Sequence, residues 1–350
     1  MADLQSVFHN MKFENNEQGM GYNSRVLLVD GLNTFLRSYA VVPSMDEDGH
    51  HIGGMIGFLK SLGLAIRTFK PTRCIVVFDG KGGSQRRRKI YPQYKANRKP
   101  PVRLNRAYDL TTDEQEKENM KYQLVSLIEM LECLPLTILA LDNVEADDVI
   151  AQLSQLVTAE EGHSIIYSTD KDFLQLASES VKIYNPVKKK TFDVDVILEE
   201  YGIHPKHFYF YRALNGDNSD NISGIRGVGE ATLKKYIPEI ADPAVDVNLQ
   251  FIKDKYADVK KVPKVITNIL DNTDVVERNV VLMNLHEGIM STDARMKVIN
   301  MFHKAKIDFK KYDLTKMMMR TRLLGAFPNY DSWLAQTFIP LNRFKHDISN

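Results

Sequence analysis

Three short apolar runs in this chain each end on an aspartate, and that repetition restricts the fold more than any other feature. The runs are Arg25-Val-Leu-Leu-Val-Asp30, Cys74-Ile-Val-Val-Phe-Asp79 and Ser164-Ile-Ile-Tyr-Ser-Thr-Asp170. They read as buried strands, and Leu136-Thr-Ile-Leu-Ala140 makes a fourth. Helical patterns separate them. Ile52 to Phe69 places apolar residues at 55, 56, 58, 59, 62, 66 and 69, and further helices are predicted over Tyr122 to Leu134 and Glu145 to Glu161. Strand–helix repetition of this kind predicts an α/β fold with a mainly parallel central sheet flanked by helices. Val181 to Tyr184 and Thr191 to Val194, on either side of Asn185-Pro-Val-Lys-Lys-Lys190, read as a hairpin at the sheet edge.

In a parallel sheet, residues just past the carboxyl ends of the strands converge on one crevice. Nine acids stand at strand ends or helix starts: Asp30, Asp79, Glu145, Asp147, Asp148, Asp170, Asp172, Asp217 and Asp220. Taken singly, each has a plainer explanation. Glu145-Ala-Asp147-Asp148 enriches a helix start with acids that complement its dipole. Asp170 and Asp172 suit capping, and Asp79-Gly80 suits a turn. Gathered at one edge, they would repel strongly unless a cation neutralised them. Oxygen ligands suit hard divalent ions such as Mg²⁺. Two such ions ~4 Å apart are the arrangement that hydrolyses a phosphodiester.

The charge distribution points the same way. Ten Lys or Arg residues and no acid lie between Lys81 and Arg106, whereas Asp142 to Asp172 contains Lys171 as its single Lys or Arg. A basic run suits a polyanion and an acidic one suits metal ions, although a basic run can also be a solvated loop. The stretch from about 91 to 121 breaks the alternation, with Pro100-Pro101 stopping any helix, and reads as a functional lid or a disordered insertion. Gly227-Val-Gly229 between two helical stretches makes a tight turn whose free N–H groups can face a phosphate or a monovalent cation. Lys234 and Lys235 follow it and suit a contact to a DNA backbone.

Other chemistries lack their motifs: there is no Gly-x-Ser-x-Gly, His-Glu-x-x-His or Gly-x-x-x-x-Gly-Lys-Ser/Thr. His50-His51 and His204-Pro-Lys-His207 suit the surface or helix starts better than a metal. Cys74 and Cys133 read as buried thiols of a reducing compartment, no run approaches the roughly 18 apolar residues of a membrane span, and residues 1–24 read as a loose tail without a secretory pattern. A cytoplasmic location is expected, without membrane contact. The expected organisation is an α/β unit over 25–204, a helical pair around the glycine turn over 205–240 and a helical region over 241–350, in which Met317-Met-Met-Arg-Thr-Arg and Trp333 carry no chemical signal.

At this point the residues resemble the 5′ nucleases, a family that includes flap endonucleases, the 5′-nuclease domain of bacterial DNA polymerase I, and phage exonucleases and ribonuclease H. Val29-Asp-Gly-Leu-Asn-Thr-Phe-Leu-Arg37-Ser-Tyr39 is similar to the family's first motif. Phe78-Asp-Gly-Lys-Gly-Gly-Ser-Gln-Arg-Arg-Arg, with Tyr91-Pro-Gln-Tyr-Lys95-Ala-Asn-Arg98, is similar to its second. Glu145-Ala-Asp-Asp148, Ser168-Thr-Asp170-Lys-Asp172 and Gly216-Asp217-Asn-Ser-Asp220-Asn-Ile complete the set, over roughly Val26 to Ile237.

The resemblance implies a PIN-like 5′-nuclease fold with a helical arch over about 91–121, a helix–three-turn–helix and a C-terminal helical extension. It implies a structure-selective 5′ nuclease, acting as a 5′→3′ exonuclease and flap endonuclease in replication or repair. All nine acids would hold two Mg²⁺ ions, with Mn²⁺ as a substitute, Asp217 and Asp220 completing the looser position. Lys95 and Arg98 would hold the reacting phosphate, and K⁺ would sit at the glycine turn. Expected DNA contacts are Arg37, Tyr39, Arg86, Arg87, Arg88, Gly227, Gly229, Lys234 and Lys235. Tyr39 either stacks on a base near the branch or simply packs. Expected partners are branched or nicked DNA with 5′ single-stranded ends, an RNA–DNA hybrid, and a sliding clamp or single-strand-binding protein, the chain itself being a monomer. Its length suits a free-standing replication nuclease, as in phages, whose location would be the host cytoplasm. A non-catalytic junction-binding module on the same scaffold is the alternative. An RNA-processing nuclease on a related sheet is a third reading, although such chains are usually shorter and lack the arch.

Overall fold

A computed structural model describes residues 21–98, 112–304 and 307–344. Most of the expected N-terminal tail (1–20) and the middle of the expected arch (99–111) lie outside the described residues. Six strands form one sheet in the order β3-β2-β1-β4-β5-β6. They are β1 (Arg25–Asp30), β2 (Arg73–Asp79), β3 (Thr137–Leu141), β4 (His163–Tyr167), β5 (Val181–Asn185) and β6 (Lys190–Phe192). The first five pair in parallel, with Val29 opposite Val76 and Leu28 opposite Ile166, and β6 turns back antiparallel at the edge as the hairpin pattern predicts.

Residues alternate between two cores, because successive strand side chains point to opposite faces. Val26, Leu28, Ile75, Val77 and Ile166 enter one core; Leu27, Val29, Cys74, Val76 and Ile165 enter the other. Helices α1 (Gly31–Val41), α2 (Gly53–Phe69), α3 (Gln85–Ile90), α4 (Asp113–Leu131) and α5 (Ala146–Ala159) fill the first half. Helix α5 covers the first face, and α1, α2 and α4 cover the second. Both cysteines are free and buried.

Helix α4 corrects the sequence reading: it begins at Asp113, inside the segment expected as the arch, and not at Tyr122. The Thr112 side chain accepts from the Gln115 amide at 3.2 Å, with Asp113, Glu114 and Glu116 in the first turn. Capping and the helix dipole thus start a helix whose apolar stripe is weak. That stripe is broken by Gln123, which is fully buried and accepts from the Gly54 and Met55 amides, capping α2 from a neighbouring element.

Beyond β6 come α6 (Val194–Tyr201) and α7 (Pro205–Asn215), then a two-residue ladder of β7 (Gly216–Asp217) with β8 (Ile222–Ser223). After it lie α8 (Glu230–Tyr236), α9 (Leu249–Tyr256), α10 (Lys264–Asp271), α11 (Thr273–Met283) and α12 (Thr292–Lys304). Three helices follow: α13 (Lys311–Arg320), α14 (Tyr330–Thr337) and α15 (Ile339–Asn342). The C-terminal region, unreadable in sequence, closes both faces of the sheet. Val298 and Phe302 of α12 join the first core, whereas Leu314, Met318, Leu334 and Phe338 join the second. Among the described residues no helix is long and apolar enough to cross a membrane.

Candidate functional site

Strand order reverses at β1: β2 and β3 lie to one side, β4 and β5 to the other. A crevice outside the carboxyl ends is expected at such a switch, and the acids stand there. Asp30 ends β1, 7% exposed; its carboxylate accepts from the Asn33 amide at 3.1 Å and from Ser168 Oγ, past the end of β4, at 2.9 Å. Burial, with Asp170 and Asp79 nearby, pushes Asp30 up to about 7. Asp79 ends β2 and accepts from the Ala146 amide at 2.8 Å, capping α5. Asp170 accepts from the Asp172 amide at 2.8 Å, and burial raises it. Burial and the charges of Asp170 and Asp30 push Asp147, in the first turn of α5, well up. Burial and Asp170 bring Asp172 to about 7 against the pull of Arg212.

The remaining acids are held by cations. Lys95 Nζ donates to Glu145 Oε1 at 2.5 Å and lies 3.8 Å from Asp220 Oδ2. Arg98 pairs with the other oxygen of Asp220. Tyr94 Oη reaches Asp220 at 3.0 Å and Glu145 at 3.2 Å. Burial would raise Glu145, but Arg87 and Lys95 outweigh it and hold the carboxyl below its usual range. Arg212, at the end of α7, donates to Asp172 at 2.7 Å and Asp217 at 2.5 Å. Burial likewise works against ionised Asp217, yet Ser219 and Arg212 hold it low.

Arg87 corrects one expectation and alters another. Its guanidinium is buried, bonded to Glu145, to both oxygens of Asp148 (2.7 and 2.9 Å) and to Leu282 O (2.9 Å), so it is no DNA contact here. Asp148, 3% exposed, has both oxygens on that fork, just as Glu145 has one oxygen on Arg87 and the other on Lys95. The helical spacing explains this, because residues three apart share a face: Glu145 and Asp148 both meet Arg87, whereas Asp147 turns toward Asp30 and Asp170. Of the two readings of Tyr39, packing is the one the structure shows. The side chain is fully buried, its hydroxyl on Glu116 O and Asn119 and its ring edge-on to His51, so no base can reach it in this conformation.

The other expected DNA contacts are placed as follows. Arg86 is tied to Ile289 O (3.2 Å) and Ser291 Oγ (2.9 Å). Arg88 is exposed, with Nε on Tyr94 O at 3.3 Å. Arg37 is half-buried over the Tyr167 ring at 5.8 Å. Lys234 and Lys235 are exposed at the end of α8. Gly227 has φ +86°, in the left-handed region where glycine is favoured, and a Cβ there or at Gly229 would meet nothing within 4 Å. The turn is therefore open to a ligand approaching its backbone.

Arg212 and Tyr94 are the functional residues that sequence reasoning missed. Tyr94 sits inside a quoted motif, but nothing local separates Arg212 from a solvated helix-end arginine.

The donor set fits a hard divalent cation. All donors are oxygens, and Asp30, Asp79, Asp147 and Asp170 make no ion pair among the described residues. The other five acids, Glu145, Asp148, Asp172, Asp217 and Asp220, are drawn onto Arg87, Lys95, Arg98 and Arg212. Among the described residues, the trio of potential ligand atoms within 4.8 Å of one another is Asp46, Asp48 and His50, in the loop between α1 and α2.

A parallel sheet whose strand ends gather oxygen donors beside paired cations defines a phosphodiester hydrolase with a PIN-like 5′-nuclease fold. Residues 25–202 match the family model of the 5′-3′ exonuclease N-terminal resolvase-like domain, and the chain belongs to that family. It is 34% identical over 215 residues to a 5′-3′ exonuclease of Aquifex aeolicus, covering 60% of this chain and 68% of that one. It is 33% identical to the thermostable DNA polymerase I of Thermus aquaticus, covering 61% of this chain but 24% of the polymerase. A flap endonuclease of bacteriophage T5, solved as a complex with DNA and metal ions, superposes with a TM-score of 0.62 at 20% identity, covering 86% of this chain and 98% of that one. The glycine turn and everything C-terminal to it lie outside the family match.

Proposed function

We propose that the chain is a structure-selective 5′ nuclease acting on branched or nicked DNA with 5′ single-stranded ends, cutting as exonuclease and flap endonuclease and leaving a 5′-phosphate. One observation carries this reading: three strand-end acids, Asp30, Asp79 and Asp170, and Asp147 at the start of α5 meet at the switch point without ion-pair partners among the described residues, flanked by Lys95 and Arg98. Asp30, Asp79, Asp147 and Asp170 would hold two Mg²⁺ ions, or Mn²⁺ in their place, with Glu145, Asp148, Asp172, Asp217 and Asp220 completing the positions. When bound, such ions supply polarisation of a phosphodiester and activation of water near neutral pH.

The chain's own residues do the rest. Lys95 and Arg98 offer positive charge where a phosphate would gain negative charge. Tyr94, a phenol pushed far up by burial and by the Glu145 charge, stays a hydrogen-bond donor and holds Glu145 and Asp220 in place. Arg212 keeps Asp172 and Asp217 together. The glycine turn would grip a duplex backbone, with K⁺ as its resident ion, and Lys234 and Lys235 would add a contact indifferent to sequence. RNA–DNA hybrids are a further substrate on this reading, and a sliding clamp or single-strand-binding protein would be a replication partner.

End-labelled flap, nicked-duplex and RNA–DNA substrates, each with Mg²⁺ or EDTA, test the proposal. Short 5′-labelled products that require Mg²⁺ support it. Tight binding of the same substrates without any product would make the chain a junction-binding module instead.

A further inference from the structure

Beside the glycine turn, a crevice of about 490 Å³ opens between the 223–226 loop and helices α10 and α11. Tyr91, Arg226, Asn268, Asn272 and Arg278 line it together with Ser223, and none of the described lining residues is a carboxylate. We infer that this crevice is a binding site for a backbone phosphate of the duplex arm, using the guanidinium groups of Arg226 and Arg278. The inference rests on the reading of the chain as a DNA nuclease and extends its duplex contact beyond the glycine turn.

Arg278 is held ready for an anion. Its Cζ lies 4.3 Å over the Tyr91 ring, and its Nε and one terminal nitrogen both donate to Asn279 Oδ1, at 3.2 and 2.9 Å. Asn279 is itself immobile: fully buried, it donates to Ala213 O and Ser223 O, each at 2.9 Å. The other terminal nitrogen of Arg278 has no hydrogen-bond partner among the described residues. A guanidinium fixed on one side and open on the other loses little entropy on gaining a phosphate.

The bland alternative is a solvated surface arginine, and the surroundings argue against it. Arg87, Arg98 and Arg212 each find a carboxylate, whereas half-buried Arg278 and exposed Arg226 pair with no acid among the described residues. Asn268 Nδ2 bonds Arg226 O at 2.9 Å, fixing the loop that presents Arg226. The crevice is also coupled to the reacting centre. Tyr91 opens the turn that carries Lys95 and Arg98, and Asn221 Nδ2 holds that turn through Gln93 O at 2.8 Å. A phosphate bound here would place the duplex without touching the bond that is cut.

Fluorescence anisotropy in EDTA, with labelled nicked duplex and single-stranded oligonucleotide, tests the site in Arg278→Gln and Arg226→Gln. Each variant is expected to raise the duplex Kd about threefold to tenfold near 0.1 M salt and to flatten the slope of log Kd against log salt by about 1. Single-strand affinity should stay the same. Arg226→Gln changes an exposed side chain, so it remains decisive if Arg278→Gln loses stability. Unchanged duplex affinity and salt slope in folded variants overturn the inference, as does a wild-type chain with no duplex affinity. If the variants lose duplex binding but the wild type cuts no 5′ end, the site stands and the nuclease reading falls. If the wild type cuts but both variants bind duplex normally, the site alone falls.

Discussion

Lys95 Nζ lies 2.5 Å from Glu145 Oε1, so the side chain expected to meet the reacting phosphate rests on an acid expected to serve a cation. Burial disfavours the ammonium, but Glu145, Asp220 and Asp147 outweigh that cost and hold Lys95 above its usual range. The lysine therefore stays charged, and substrate and cations must exchange partners with it.

Removing that charge should affect the chemical step more than binding. Lys95→Ala is expected to lower the single-turnover rate on saturating flap DNA by about 10²–10³-fold, the loss typical of one electrostatic stabiliser. Kd should change much less. A rate within about threefold of wild type would remove Lys95 from the reaction.

Asp147 should show a trade between stability and function. Neutralising an acid that burial and like charges already disfavour in its ionised form relieves repulsion in the metal-free chain. Asp147→Asn is expected to raise Tm in EDTA at pH 8 by a few degrees while abolishing cleavage in Mg²⁺. Lower stability together with retained cleavage would contradict both halves.

The pH dependence follows from Asp30 and Asp172, each pushed up to about 7 in the fold against roughly 4 in an unfolded chain. Between those values the folded chain keeps protons that the unfolded chain has released, so this contribution to stability is lost as pH rises from about 4 through 7. In EDTA, Tm should be lower at pH 8 than at pH 6. Mg²⁺ should raise Tm more at pH 8 than at pH 6, because it then meets a fully ionised crevice. Equal shifts at both pH values would mean that these acids do not share a cation.

Arg87 should behave as a structural ion pair. Arg87→Ala leaves Glu145 and Asp148 buried without their shared cation, a change that typically costs about 3–5 kcal/mol. Urea unfolding would measure it. A loss below about 1 kcal/mol together with a shallower salt dependence of DNA binding would restore Arg87 as a DNA contact.

The sheet was legible because apolar runs of strand length ending in aspartate have few other meanings, and the observed strands lie within about two or three residues of those runs. The acids at the crevice were legible for the same reason. Their partners were not: Arg212 reaches Asp172 across 40 positions and Arg87 reaches Glu145 across 58, and no local pattern encodes such pairings. Tyr39 sat inside a recognisable motif, yet its burial depends on His51 and helix α4, which only the tertiary structure supplies. Helix α4 could have been placed from Thr112 and Gln115, a capping pair outweighed in the reading by a polar segment with weak periodicity. Met318 and Phe338 gave no chemical signal because their role is to cover the second face of the sheet.

Single-turnover cleavage of a 5′-labelled flap, titrated with Mg²⁺ in wild type and Asp170→Asn, bears most directly on the central claim that the strand-end acids hold the cations needed for cutting. The wild type should be inactive in EDTA and gain activity with Mg²⁺, while Asp170→Asn should bind the flap normally and stay inactive at every concentration tested. Cleavage in EDTA, or a variant cutting at the wild-type rate, would contradict the assignment.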